Sequence, residues 1–212
     1  MADDTTYRRR FETPAVSDAM DGLGLEPGVV TGLTRLAGGV PPVMGPARTA
    51  TVVDTDEPDI PGLAEYLDEA ADGDMLVLGW AASTTASAWG GLAATRTAGR
   101  GCVGLVTAGW VRDVEEIGAT PLVVWCRGPM PRSGKGRLAV QRVGEQVELG
   151  GVLVRDRDLV VVDSTGVCVV PRDRSPDVLE AAARLQEREE AFRSALAGGA
   201  GFGAARTRAG TM

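Results

Sequence analysis

Cys102–Cys126, CVGLVTAGWVRDVEEIGATPLVVWC, contains two short apolar runs, CVGLVT and PLVVWC, on either side of a polar stretch. Runs this short without apolar–polar alternation are written like strands covered on both faces. VRDVEEIG between them starts something helical, so the segment reads strand, helix, strand and the chain reads as α/β. Its charges pose a question. Arg112 and Asp113 stand side by side at the mouth of the first strand, where neither is buried cheaply.

Outward from this unit the same alternation continues. TPAVSDAMDGLG is punctuated as a short helix, with Thr13 as N-cap, Pro14 at the first position and Gly22 at the end. VMGPARTATVV reads as a strand. DIPGLAEYLDEAADGD reads as a helix capped by Asp59, with Leu63, Tyr66, Leu67 and Ala70 at helical spacing. A strand at Met75–Leu78 follows, then a small, polar stretch from Trp80, and LAATRTAG as a helix stopped by Gly99. Beyond Lys135, RLAVQRV, GVLV, DLVVVD and GVCVV read as a strand-rich half. The last helix starts at Ser175 as cap with Pro176 behind it. Residues 1–197 are expected to form a single domain and 198–212 a flexible tail.

Composition excludes more than it selects. With 44% hydrophobic and 24% charged residues the chain has the balance of a globular protein with a real core. No apolar run approaches the roughly 18 residues of a membrane helix, and the acidic, then basic start has no apolar stretch behind it. The expected location is the cytoplasm, away from membranes. A net charge of -7 with scattered basic residues argues against nucleic acid as a partner, the YRRR near the N-terminus being too short to reverse that. Cys102, Cys126 and Cys168 show no paired spacing and read as small buried hydrophobes.

The chain has no histidine, which removes Ser–His and Cys–His nucleophile pairs and His-ligated zinc. Its single lysine, Lys135, lies in the glycine-flanked RSGKGR, a poor setting for a Schiff base, and GPMPRSGKG lacks phosphate-loop spacing. Any metal is then oxygen-bound, Mg or Mn rather than zinc.

Two features meet where ligands bind in open α/β sheets. Gly90 and Gly91 open a helix whose N-terminal amides suit an anion, and Arg112 with Asp113 sits on the neighbouring strand-to-helix connection. Structural alternatives stand beside this reading: Asp113 and Glu116 resemble a helix-capping box, Arg112–Asp113 a solvated ion pair, and Gly90–Gly91 a tight turn. Glu189 falls on the apolar stripe of the last helix between Leu185 and Phe192. It either snorkels from the stripe's edge or faces an interface.

PAVSDAMDGLG, GPARTATV, DGDMLVL, WGGLAATRTAGRG, GWVRDVEEI and DSTGVCVVP occur here in the order in which the RraA-like proteins carry them. The resemblance spans Thr13 to about Pro171 and, more loosely, the last helix. This family includes the regulator of RNase E activity A and the 4-hydroxy-4-methyl-2-oxoglutarate / 4-carboxy-4-hydroxy-2-oxoadipate aldolases. The resemblance implies an α/β three-layer sandwich resembling the swivelling phosphohistidine-domain fold, assembled as a homotrimer or hexamer. It implies a metal-dependent lyase, a class II pyruvate aldolase or oxo-acid decarboxylase, acting on a small 2-oxo acid. Arg112 would bind the substrate carboxylate and Asp113 would hold Mg or Mn, largely through water. The amides of Gly90, Gly91 and Leu92 would receive the carboxylate, and Glu189 would act from an adjacent subunit. Two departures stand out: family aldolases often carry an acid at the position of Gly91, and a small residue at that of Trp110. The resemblance equally covers non-catalytic regulators that bind a ribonuclease, and a lyase or isomerase repurposed for another metabolite.

Overall fold

The structure is a computed structural model that describes residues 11–26, 28–37 and 42–210; the YRRR stretch lies outside the described residues. In chain order, helix α1 (Thr13–Gly22) is followed by strands β1 (Val29–Val30), β2 (Thr34–Ala37) and β3 (Val43–Asp54), helix α2 (Leu63–Asp68), and strands β4 (Met75–Trp80) and β5 (Ser87–Trp89). Then come α3 (Gly91–Gly99), β6 (Gly104–Thr107), β7 (Trp110–Val111), α4 (Val114–Gly118), β8 (Val123–Cys126) and β9 (Gly128–Pro129). The second half carries β10 (Leu138–Gln141), β11 (Val147–Leu149), β12 (Val152–Val154), β13 (Leu159–Val162) and β14 (Val167–Val170), and ends in α5 (Ser175–Ala197) and α6 (Phe202–Ala209).

The strand–helix–strand unit at Cys102–Cys126 is present as β6, α4 and β8, with the short β7 inserted before the helix. β3, β4, β6 and β8 pair in parallel, and β2 closes that side antiparallel to β8. On the other side β13 pairs antiparallel with the first residues of β3, and β14 and β1 follow. Long β3 thus joins a parallel half to an antiparallel half in one mixed sheet.

Period-two alternation shows why the apolar runs lack a polar face. In β4, Leu76 and Leu78 join one core with Tyr66 and Leu67 of α2, Ala94 of α3 and Ile117 of α4. Their neighbours Met75 and Val77 join a second core with Val106, Val160, Val162 and Val169. In β13 and β14, Val161, Cys168 and Val170 turn the other way, onto α1 and α5. The sheet is curled: the inner faces of its two halves share a strand-only core, and each outer face is covered by helices. Every central strand is therefore buried twice, which a continuous valine and leucine run satisfies.

Several helix starts differ from the capping expected. α1 is preceded by Glu12, and Thr13 instead donates its N–H and Oγ1 to the Asp163 carboxylate at 2.7 and 2.8 Å. α2 starts after Gly62, in the left-handed region at φ 77°, and Asp59 pairs with Lys135. Ser175 is the first residue of α5, its Oγ donating to Pro171 O at 3.1 Å. In each case a tertiary or upstream partner, an acceptor for Thr13 and Ser175 and a cation for Asp59, takes the group that local spacing assigns to a cap. Within the segment after residue 197, Phe202–Ala209 form helix α6, and Phe202 packs edge-on against Phe192 of α5 with ring centroids 5.0 Å apart. Its glycines and alanines gave no periodic apolar stripe from which to read that helix.

Cys102, Cys126 and Cys168 are buried and free, as expected of small core residues. Burial pushes their thiols up, to about 11 for Cys102 and Cys126 and about 12 for Cys168. None of the described helices is long and apolar enough to cross a membrane.

Candidate functional site

Each of the parallel strands β4, β6 and β8 is followed by a short extension, β5, β7 or β9, and the three extensions form their own parallel sheet. Register does the positioning. Ser87 pairs with Trp110 and Trp89 with Val111, and the Arg112 N–H donates to Trp89 O at 3.1 Å. The residues that follow, Gly90–Gly91 at the start of α3 and Arg112–Asp113 at the start of α4, are thereby set side by side. The site lies beyond the carboxyl ends of parallel strands, where the fold class places ligands.

Asp113 does not cap its own helix. Its backbone is left-handed, φ 59° and ψ 51°, and its side chain makes no capping bond to α4. Its Oδ2 instead accepts the Gly91 N–H at 3.1 Å, and the Arg112 Nε lies 3.4 Å from the same oxygen. The carboxylate therefore caps α3 from the neighbouring loop, where partial positive charge favours it. Asp is among the few residues with a side chain that tolerate this backbone region. Arg112 and Asp113 keep 36% and 37% of their side-chain surface exposed, so both remain reachable.

The two glycines are required by what lies above them. A Cβ on Gly90 would sit 2.6 Å from Asp113 Oδ2 and 2.9 Å from Arg112 Cγ. A Cβ on Gly91 would run into the Glu116 carboxylate and its Cβ. Glu116, read from the sequence as the second member of a capping box, thus lays its acid over residue 91. A carboxylate stands over Gly91 although the residue itself supplies none. Of the three amides expected to receive a substrate carboxylate, that of Gly91 already has Asp113 as acceptor. Leu92 is 84% exposed.

A cavity of about 400 Å³ opens beside these groups. Gly90, Leu92, Arg112 and Asp113 line it, together with Ile60, Leu63 and Leu67 around α2 and Trp89 of β5. Lys135 also reaches it, its Nζ 3.5 Å from Asp59 Oδ1, both side chains well exposed. Trp89 is 2% exposed, and among the described residues its indole Nε1 finds no acceptor. Sequence reasoning missed this wall: Asp59 and Lys135 are distant in the chain, and Leu63 and Leu67 have the spacing of ordinary core residues.

Trp110, the bulky departure from the family pattern, does not line the cavity, and neither does Trp80. They pack edge-on with centroids 5.6 Å apart, Arg127 lies 4.5 Å over Trp110, and the Trp80 ring fills the space where a side chain on Gly109 would stand. Glu189 is not among the cavity's lining residues either. It sits on α5, 3.7 Å from Arg193 one turn on and 35% exposed, so within a single chain the structure does not bring it to Arg112 and Asp113.

The donor set near Gly91 is all oxygen, the carboxylates of Asp113 and Glu116, and among the described residues no group of three or more His, Cys, Asp or Glu side chains is poised for a metal. One or two carboxylates completed by water suit Mg or Mn and suit zinc poorly.

A family model described as Aldolase/RraA matches residues 13–169. The chain is 29% identical over 197 residues to a provisionally named 4-hydroxy-4-methyl-2-oxoglutarate aldolase of Halalkalibacterium halodurans, covering 90% of this chain and 87% of that protein. It is 30% identical over 188 residues to protein DlpA of Legionella pneumophila, covering 87% of this chain and only 30% of that longer protein. Among solved structures, Streptomyces coelicolor RraAS2, described as an unusual member of the RNase ES inhibitor RraA family, superposes with a TM-score of 0.79. That pair is 28% identical, with 90% of this chain and 96% of RraAS2 covered.

Proposed function

Because the chain belongs to the RraA-like family, with the mixed α/β fold of its solved members, we propose that it is a divalent-metal-dependent carbon–carbon lyase acting on a small 2-oxo acid. One observation carries this reading: Asp113, in a left-handed backbone, directs its carboxylate to the start of α3 beside Arg112 rather than to its own helix. Beyond capping α3, that carboxylate and the Arg112 guanidinium line the same cavity and stay partly exposed, open to a ligand.

Asp113, with Glu116 beside it, would hold Mg or Mn. When bound, such an ion supplies Lewis acidity at the 2-oxo group. The Arg112 guanidinium pairs with the substrate carboxylate and fixes its orientation. The first-turn amides of α3 add positive potential where charge develops. For a 4-hydroxy-2-oxo acid the C3–C4 bond breaks, the hydroxyl proton leaves, and C3 takes up a proton, giving pyruvate and a carbonyl compound. No histidine exists to carry these protons, so carboxylates and water must. Assembly as a trimer or hexamer, with Glu189 of the partner subunit orienting that water, belongs to the same proposal.

The test is pyruvate release from a panel of 4-hydroxy-2-oxo acids with Mg or Mn, followed through coupled reduction to lactate. Asp113→Ala should abolish metal-stimulated release, and unchanged turnover in that variant overturns the mechanism. Likeness to RraAS2 favours a second reading, a non-catalytic regulator of a ribonuclease. Capture of a ribonuclease by a protein that shows no Mn binding in calorimetry would select it.

A further inference from the structure

We infer that the cavity beside Arg112 and Asp113 selects a 4-hydroxy-2-oxo acid whose C4 substituent is an alkyl or aryl group rather than a further carboxylate. The inference rests on the lyase reading and deepens it. If Arg112 is committed to the carboxylate next to the 2-oxo group, the rest of the substrate must lie against the remaining wall. That wall is apolar: Ile60, Leu63 and Leu67 from α2 and its approach, Trp89 from β5, and Ala93 from α3. The cavity's size, about 400 Å³, is in the range that encloses small ligands of this kind.

Charge decides between the two substrate types. The charged residues lining the cavity are Arg112, Asp113, Lys135 and Asp59, two of each sign. Lys135 is the cation left for a second carboxylate, and it already pairs with Asp59 at 3.5 Å. A dicarboxylate would bring its second charge to a wall whose remaining cation is shared with Asp59, and would lose hydration there. An alkyl or phenyl group meets the same wall with no such cost and removes apolar surface from water. The uncharged polar residues of the lining are Ser87 and Ser133, and the Ser87 hydroxyl already donates to Arg132 O at 3.0 Å.

Two substrates test this, 4-hydroxy-2-oxo-4-phenylbutanoate and 4-hydroxy-4-methyl-2-oxoglutarate, compared by kcat/KM for pyruvate release with Mn. The expected preference for the phenyl compound is at least about tenfold, the scale on which apolar pockets discriminate. Ala64→Arg adds a cation at an exposed position on the cavity lining and should narrow or invert that ratio. Equal or greater efficiency with the dicarboxylate in the unsubstituted protein overturns the inference. Independently of turnover, phenylpyruvate and 2-oxoglutarate are titrated against tryptophan fluorescence. Tighter binding of phenylpyruvate supports the apolar wall even if neither substrate is cleaved, a result that removes the lyase reading alone. Tighter binding of 2-oxoglutarate overturns the inference whatever the turnover.

Discussion

At residue 113 two demands meet, a left-handed backbone and a carboxylate, and they can be separated. Asn tolerates the same backbone region, so Asp113→Asn should melt at nearly the temperature of the parent while losing Mn binding in calorimetry. Asp113→Val should lose Mn binding and also stability, by about 1 to 3 kcal/mol in urea unfolding, because a β-branched residue is strained there. Glu116→Gln tests whether the acid above Gly91 matters. It should weaken Mn affinity by about tenfold, corresponding to about 1.4 kcal/mol of lost interaction, without changing the fold. The buried thiols give a prediction with a definite sign. Folded values of about 11 to 12 lie above the ordinary 9.0. The folded chain thus holds protons that the unfolded chain releases, and the stability they contribute is intact below pH 9 and falls as pH climbs through 11 to 12. Urea midpoints from pH 7 to 11 should drop only above 9, and a Cys126→Ser, Cys168→Ser double variant should drop less steeply.

At the scale of elements, pairing and packing decide where the site forms. Tyr66 is fully buried in α2, donates its hydroxyl to Arg48 O at 2.6 Å, and accepts the Val77 N–H at 3.1 Å, fastening α2 to β3 and β4. Tyr66→Phe leaves that N–H without its acceptor and should cost about 1 to 3 kcal/mol in chemical unfolding. The strands of the central unit were legible because double burial writes an unbroken apolar run, and α4 because its polar stretch lies between two of them. β5, β7 and β9 were not, since two or three residues carry no period. Their pairing places Gly90 beside Arg112. Residue types thus pointed to the corner, while its assembly depended on register between strands too short to read. Glu116 shows the same limit: its spacing from Asp113 fits a capping box, and only the approach of α4 to Gly91 reveals where its acid goes.

For the whole molecule, the curled sheet gives two helical faces with unlike duties. α2, α3 and α4 pack on the face that carries the cavity, whereas α1 and α5 pack on β13 and β14 and extend into α6. Glu189 belongs to that second face, so any part it plays in chemistry needs another copy of the chain. Sedimentation equilibrium should then give a trimer or hexamer, and Glu189→Gln should lower turnover without altering Mn affinity. If the chain sediments as a monomer while retaining activity, Glu189 has no part in the reaction.

The corner at Gly90 and Arg112 takes its geometry from ladder hydrogen bonds among the strand extensions, whereas much of the facing wall is hung on α2, which contributes no strand to that ladder. Drift in α2 can therefore reshape the cavity wall while leaving the Arg112–Asp113 corner undisturbed. Such a separation lets one scaffold vary what its cavity admits without disturbing the charged pair at its floor.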